Sequence, residues 1–239
     1  AEADLKAKSA GTSAIGNPWA DVAKAVDRYR SFYVPFRVLE PQGQLFGYAR
    51  LLVQAAAERQ KPQAERLAGF SDAELPFLEK QLLDPKPVTP WLEQLQLEWS
   101  MSKAREYLGA DDGDTKLLLG KDSPEGLAKQ LVGTSKLADP AVRKALWQGG
   151  AAAIAASNDP MIKLALRLDP RLHQLESQFE AEYDAPIKAA AVKLSDARFA
   201  AYGADVYPDA TFTLRISYGQ VKGWMERGQM VPTRTIFAG

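Results

Sequence analysis

The sequence predicts a mainly α protein, an antiparallel helical domain followed by a short C-terminal β-hairpin or meander, and three observations carry that reading. The first is a capping residue followed by proline, repeated at Asn17-Pro18, Thr89-Pro90, Ser123-Pro124, Asp139-Pro140, Asp159-Pro160 and Asp169-Pro170. The capping oxygen accepts from orphan amides of a first helical turn, and proline at the first helical position lacks a donor that would go unsatisfied there anyway. The second is apolar spacing of three and four between these starts. The third is a change of register at Tyr207-Pro208-Asp209-Ala210, after which Phe212, Leu214, Ile216 and Tyr218 alternate strictly with Thr211, Thr213, Arg215 and Ser217. That is the period of a strand buried on one side. The expected division is a helical domain over 1–205 and β strands over 206–239.

The first helix is expected from Pro18 to about Glu40, with Trp19, Val22, Val26, Tyr29, Tyr33 and Phe36 on one stripe and Pro35 placed to kink or end it. Helices follow over Gln44–Arg59, Ser71–Leu83 and Pro90–Leu108, the second of these opened by the capping box Ser71-Asp-Ala-Glu74. After a turn at Asp111-Asp-Gly-Asp114, helices begin at Pro124, Pro140 and Pro160. The last is expected to run from Pro170 to about Tyr202, bend at Pro186 and close at Gly203. Short loops make neighbours antiparallel, and no fixed repeat supports a solenoid. Beyond the strand at Thr211–Tyr218, a second is expected over Val221–Trp224, a turn at Glu226-Arg-Gly-Gln229, and a third strand over Met230–Phe237 whose start Pro232 confines to an edge or bulge. Two or three strands without partners are marginal in water, so this sheet reads as the beginning of a larger one.

Composition narrows the function. Thirty Lys and Arg balance thirty Asp and Glu, which argues against a nucleic-acid polyanion or an anionic membrane as partner. Zero Cys excludes disulfides, thiolate metal sites and cysteine nucleophiles. The longest apolar stretch, around Ala145–Ala156, is interrupted by Gln148, Gly149 and Gly150 and is too short to span a bilayer. The opening Ala-Glu-Ala-Asp, without Met or a signal-peptide pattern, fits a processed or trimmed chain.

The residues that invite a chemical reading have simpler accounts. Asp169, the single His173 and Ser177 lie at spacings of four along one helical face. Three parallel side chains without an elbow or paired amide donors do not make a triad, and Asp169 reads as a cap on a solvated face. His173 with Glu176 has di-metal spacing, but such sites need a second His and carboxylates from other helices. Asp111-Asp-Gly-Asp114 lacks the ligand alternation and closing Glu of a calcium loop and reads as a solvated turn. Gly149-Gly150-Ala-Ala-Ala-Ile-Ala-Ala has no preceding strand and no following Lys, so it reads as a small-residue face for close helix approach. Arg28, Arg30 and Arg37 spread around a helix beside Asp27 and Glu40, as ordinary surface charge. The five tryptophans read as core and interface anchors. No metal, cofactor or catalytic residue is assigned, no substrate-binding residue is identified, and the chain by itself is expected to be inert.

The segment Tyr207-Pro-Asp-Ala-Thr-Phe-Thr-Leu-Arg-Ile-Ser-Tyr-Gly-Gln-Val-Lys-Gly-Trp224 closely resembles part of the bacterial serine exopeptidases called dipeptidyl-peptidases seven and eleven, peptidase family forty-six. Gly16-Asn-Pro-Trp19, Leu45-Phe-Gly-Tyr-Ala-Arg50, Lys136-Leu-Ala-Asp-Pro140, Ala145-Leu-Trp147 and Asp159-Pro-Met161 resemble the same family in the same order, so the likeness runs from Gly16 to Gly239. The resemblance implies a chymotrypsin-like double β-barrel whose inserted helical domain caps the active-site cleft. It implies a Ser-His-Asp triad on the barrels, with the Ser in a Gly-Asn-Ser-Gly-Ser-Pro context that does not occur in this sequence. It also implies periplasmic or secreted localisation, peptide substrates, and partnership with the rest of the barrels or, at unpaired strand edges, with a second copy. The family holds the substrate's amine with a cap asparagine. Only Asn17 and Asn158 are present here, Asn17 is explained as a helix cap, and no binding residue is carried over. Two other readings remain open: a free-standing helical interaction module, and a ligand-binding module with a tryptophan-lined pocket.

Overall fold

The computed structural model describes residues 16–203 and 218–234. It divides into two compact units, Thr12–Ala197 and a second made of Arg198–Gly239 with Ala1–Gly11.

The first unit is helical. Its elements are α1 (Pro18–Val38), α2 (Gln44–Glu58), α3 (Leu75–Leu82), α4 (Pro90–Leu108), α5 (Gly113–Leu119), α6 (Pro124–Thr134), α7 (Pro140–Ala156) and α8 (Pro160–Phe179). A π turn over Glu180–Asp184 joins α8 to α9 (Ala185–Tyr202), and a short 3-10 turn occupies Gln63–Glu65. Four of the expected caps form as read: Asn17 accepts from Ala20 N, Ser123 from Gly126 N, Asp139 from Ala141 N and Asp159 from Met161 N. Thr89 stands at the right position but makes no side-chain bond. The capping box is half made, since Glu74 reaches back to both the amide and the hydroxyl of Ser71 and the regular helix begins only at Leu75.

Three proline readings are corrected. Pro35 does not end α1, which continues to Val38 and closes with Leu39 N donating to Pro35 O at 3.1 Å. This close to the C-terminus proline removes one hydrogen bond, and Phe36 beyond it stacks on Phe179 with centroids 4.5 Å apart. Asp169-Pro170 does not start a helix, because α8 runs through it from Pro160 to Phe179. Leu164, Ala165, Leu168, Leu172 and Leu175 form one buried stripe that stays in phase across Pro170, and packing of that stripe outweighs the missing bond. The irregularity expected at Pro186 lies instead in the π turn Glu180–Asp184, which widens the helix just ahead of the proline.

The core is continuous. α2 packs on α7 and α8 through Leu45, Phe46, Ala49, Leu52, Val53 and Ala56, and α4 packs on α6 and α1 through Leu97, Met101 and Ala104. An aromatic cluster joins α1 to the end of α8, with Tyr29 4.5 Å from Tyr183 and edge-on to Phe32, Tyr33, Phe36 and Phe179. At Gly150 the chain takes a positive φ of 57° that breaks α7 into two short helices. The Gly149-Gly150 run is therefore a kink. Its close approach is within one segment, since a Cβ on Gly149 would lie 2.4 Å from that of Ala153.

The second unit contains one described hairpin. β1 (Trp224–Glu226) pairs antiparallel with β2 (Gln229–Val231), with Met225 opposite Met230. The two-residue turn has positive φ at both Arg227 (49°) and Gly228 (81°), which matches the right-handed twist of the strands. Residues 221–223, expected in a strand, precede it, and β2 stops before Pro232. The expected strand over Thr211–Tyr218 lies, apart from Tyr218, outside the described residues, as does the end of the expected third strand.

Arg143 on α7 is fully buried and pairs with no carboxylate among the described residues. Its guanidinium donates to four backbone carbonyls, Leu82 O at 2.6 Å, Asp84 O at 2.9 Å, Leu137 O at 2.7 Å and Ala138 O at 3.0 Å. It also lies 4.1 Å over the Tyr48 ring. Replacing Arg143 by Met leaves those carbonyls without donors, and urea denaturation is expected to show a loss of about 3–5 kcal/mol. Arg143→Lys keeps the charge but not the planar fork and is expected to lose less. A Met variant as stable as the parent would disprove this account.

Candidate functional site

The densest group of interacting charges lies where α2 faces α8. Arg50, in the second turn of α2, is largely buried and donates to Glu40 Oε1 at 2.7 Å and to Glu176 Oε1. It joins the segment after α1, helix α2 and the last turn of α8. Burial opposes its charge, but Glu40 and Glu176 outweigh that cost and raise its pKa. Its Nε is buried without a partner. At the C-terminal end of α2, Glu58 is 4% exposed and accepts from Leu67 N at 2.8 Å and Lys61 Nζ at 2.6 Å. Burial works against its charge, yet these donors and the His173 field hold its pKa below the usual carboxylate value.

Asp169 belongs to this group. Its Oδ1 is buried with no hydrogen-bond partner, and desolvation raises its pKa. Arg50 and His173 oppose that rise, while Glu176 and Glu58 add to it. The Asp169–His173–Ser177 row is therefore not the solvated face expected from spacing: Asp169 and His173 are half-buried and only Ser177 is exposed. Arg50, bound to Glu176 on the same helix as the row, lies near enough for its charge to act on Asp169. The row is still not a triad, because Asp169 Oδ1 is without a partner and no hydrogen bond joins Asp169 to His173 among the described residues. The His173–Glu176 spacing is likewise committed elsewhere, with Glu176 bound to Arg50.

The other candidates resolve into structure. Asp112 caps α5, and Asp114 makes a two-pronged pair with Arg171 at 2.8 and 2.9 Å, so the acidic turn is only partly solvated. Among the described residues no cluster of His, Asp or Glu is grouped to hold a metal ion. Arg30 pairs with Asp27 at 3.0 Å on the exposed surface of α1, while Glu40 turns to Arg50 instead. Asn17 caps α1, and Asn158 accepts from Lys163 Nζ at 2.9 Å. Trp147 is in the core, with Arg59 5.3 Å over its ring and donating to its carbonyl at 2.9 Å. Trp91, Trp99 and Trp224 are exposed. Sequence reasoning missed the Arg50 group and the paired exposed tryptophans of α4. For the latter the signal was present, as Trp91, Leu95 and Trp99 recur at spacing four opposite Leu97, Met101 and Ala104.

No nucleophile, base and oxyanion donors converge among the described residues, whose buried charges are engaged in holding a helical body. The raised pKa of Asp169 gives a pH test. Its proton is bound more tightly in the folded state, so stability is highest when it is protonated and falls as pH rises from the unfolded value through the raised one. Asp169→Asn keeps the shape and removes the buried charge, and a thermal melt at pH 7 is expected to show a gain of about 1 kcal/mol. That gain should fade toward acid pH, where Asp169 is protonated in both states. A variant less stable than the parent at pH 7 would refute it.

Two comparisons with known proteins bear on what such a body belongs to. The family model described as Peptidase S46 matches residues 1–239. Among curated proteins, the Asp/Glu-specific dipeptidyl-peptidase of Shewanella putrefaciens (strain CN-32 / ATCC BAA-453) is 30% identical over 188 residues, 75% of this chain. The chain spans about a quarter (25%) of the length of that relative. The shorter segments that carry the resemblance fall on the helix caps Asn17, Asp139 and Asp159, on Arg50 and on Trp147, all of them placed above in the packing of the helical unit, whereas the segment Tyr207–Trp224 lies mostly outside the described residues. With its whole length matched and those residues in the places described, the chain belongs to the peptidase S46 family.

Proposed function

We propose that this chain is the helical cap of a serine exopeptidase that removes dipeptides from peptide N-termini, with the strands at its end belonging to a barrel that carries the triad. The observation that carries the reading is the family match over 1–239 in a chain that spans about a quarter (25%) of the length of its dipeptidyl-peptidase relative. On this reading the helices exclude long N-terminal extensions and water from a cleft formed by the rest of the protein, so fixed dipoles there act at low dielectric. Movement of such a cap gates substrate entry and product release. The compartment proposed is the periplasm or the exterior, and the partners are peptides, the remaining barrel segments and, at strand edges, a second copy.

The test uses chromogenic dipeptide substrates with acidic and with apolar residues before the scissile bond. The 239-residue chain is expected to release no chromophore, and the complete polypeptide containing it to release it with sensitivity to serine-directed acylating reagents. Turnover by the purified 239-residue chain would overturn the division of labour. A complete polypeptide that is inert on all such substrates would favour a helical interaction module instead.

A further inference from the structure

Helix α4 has apolar side chains on two opposite faces. One face, with Leu97, Met101 and Ala104, is sealed in the core. On the other, Trp91, Leu95 and Trp99 are 67%, 55% and 59% exposed. They lie at spacing four, so they form one row along about 12 Å of helix. A helix that is apolar on both sides is ordinarily covered on both sides. Neither Trp91 nor Trp99 donates its indole N–H to any acceptor among the described residues, although tryptophans settled in an interface usually do. Gln94, Glu98 and Lys103 border the row and give it a polar rim.

The size of the row selects among occupants. Two indoles and a leucine at these exposures offer on the order of 400 Å² of contiguous apolar surface. That is about half of the roughly 800 Å² per partner found in stable complexes between free proteins. Two separate copies held by this row alone would dissociate. A surface tethered in the same polypeptide meets it at an effective concentration in the millimolar range, and a small patch then suffices. The relative matched above has three quarters of its length outside the region this chain covers, which leaves ample tethered surface.

We propose that Trp91, Leu95 and Trp99 form the docking face of α4 for an apolar surface on the part of the same polypeptide outside these 239 residues. The inference rests on the reading of the chain as one portion of a larger peptidase, and it identifies the face by which that portion is held. The complementary surface is aliphatic or aromatic at its centre, because the row carries no charge between its two tryptophans. It offers a carbonyl or carboxylate acceptor near each end, about 12 Å apart, to receive the two indole N–H groups.

Hydroxyl-radical footprinting read by mass spectrometry tests this on the complete polypeptide and on the 239-residue chain in parallel. Phe77 and Tyr107, 74% and 60% exposed, serve as internal references. Oxidation of Trp91 and Trp99 is expected to be roughly tenfold slower in the complete polypeptide, with both references unchanged. Equal rates in the two proteins would overturn the proposal. So would slow oxidation already present in the monomeric 239-residue chain, which assigns the cover to a segment of that chain, or protection that follows the dimer fraction in sedimentation, which assigns it to a second copy. Dipeptidyl-peptidase activity measured on the same sample separates the layers. An active polypeptide with unprotected tryptophans removes the docking face alone, whereas protection in an inactive one supports the docking face and removes only the peptidase reading.

Discussion

A guanidinium answered only by backbone carbonyls holds the helical unit together. Arg143 gathers the end of α3 through Leu82 and Asp84, the loop before its own helix through Leu137 and Ala138, and α2 through the face of Tyr48. A buried cation ordinarily needs a counter-ion, and here the negative ends of peptide dipoles take that place. The four carbonyls would otherwise be orphans at a helix terminus and in a loop, so cation and acceptors each remove the other's cost. The arrangement tolerates little substitution because the fork geometry matches acceptors on two separate segments at once.

A second buried charge repeats the logic with opposite sign. Glu93 on α4 is 3% exposed and accepts from Gln44 N and Leu45 N, each at 2.9 Å, at the first turn of α2. Gly43 before that turn offers no side-chain cap, so the carboxylate comes from another helix. Ser100, two turns along the same face of α4, accepts from Gln42 N at 3.0 Å and fixes the chain leading in. Helix α2 is thus seated between a borrowed N-terminal anion and a cation stacked on its Tyr48. The family-like segment from Leu45 to Arg50 lies between these two charges and ends in the group formed with Glu40 and Glu176.

Local chemistry was legible and long-range pairing was not. Asn17, Ser123, Asp139 and Asp159 announce their helices because cap and first turn are separated by two or three residues, and nothing distant needs to agree. Asp169-Pro170 bears the same signature and fails because a buried stripe runs through it in phase, so tertiary packing overrides a local stop signal. The Arg227-Gly228 turn was readable for the same reason as the caps. Arg143 and Glu93 were not, since their partners lie up to 61 and 49 residues away and a polar residue on a helix reads as surface by default. The half-buried state of Asp169 and His173 was invisible for the same cause, because the groups that act on them, Arg50 and Glu58, lie in a different helix.

On the proposed reading, this body contributes shape and field to the reaction. Its buried charges are spent on helix ends and on each other, as Glu58, Glu93 and Arg143 illustrate, and the half-buried Asp169 is held without the bond that would make it orient a base. Proton transfer needs a group that is accessible, correctly paired and free to change charge at little structural cost. Each of those buried groups would unseat a helix terminus or a loop if its charge changed. A scaffold stabilised in this way is consistent with the cover proposed for it, because its electrostatics are consumed internally while Trp91 and Trp99 stay exposed on α4.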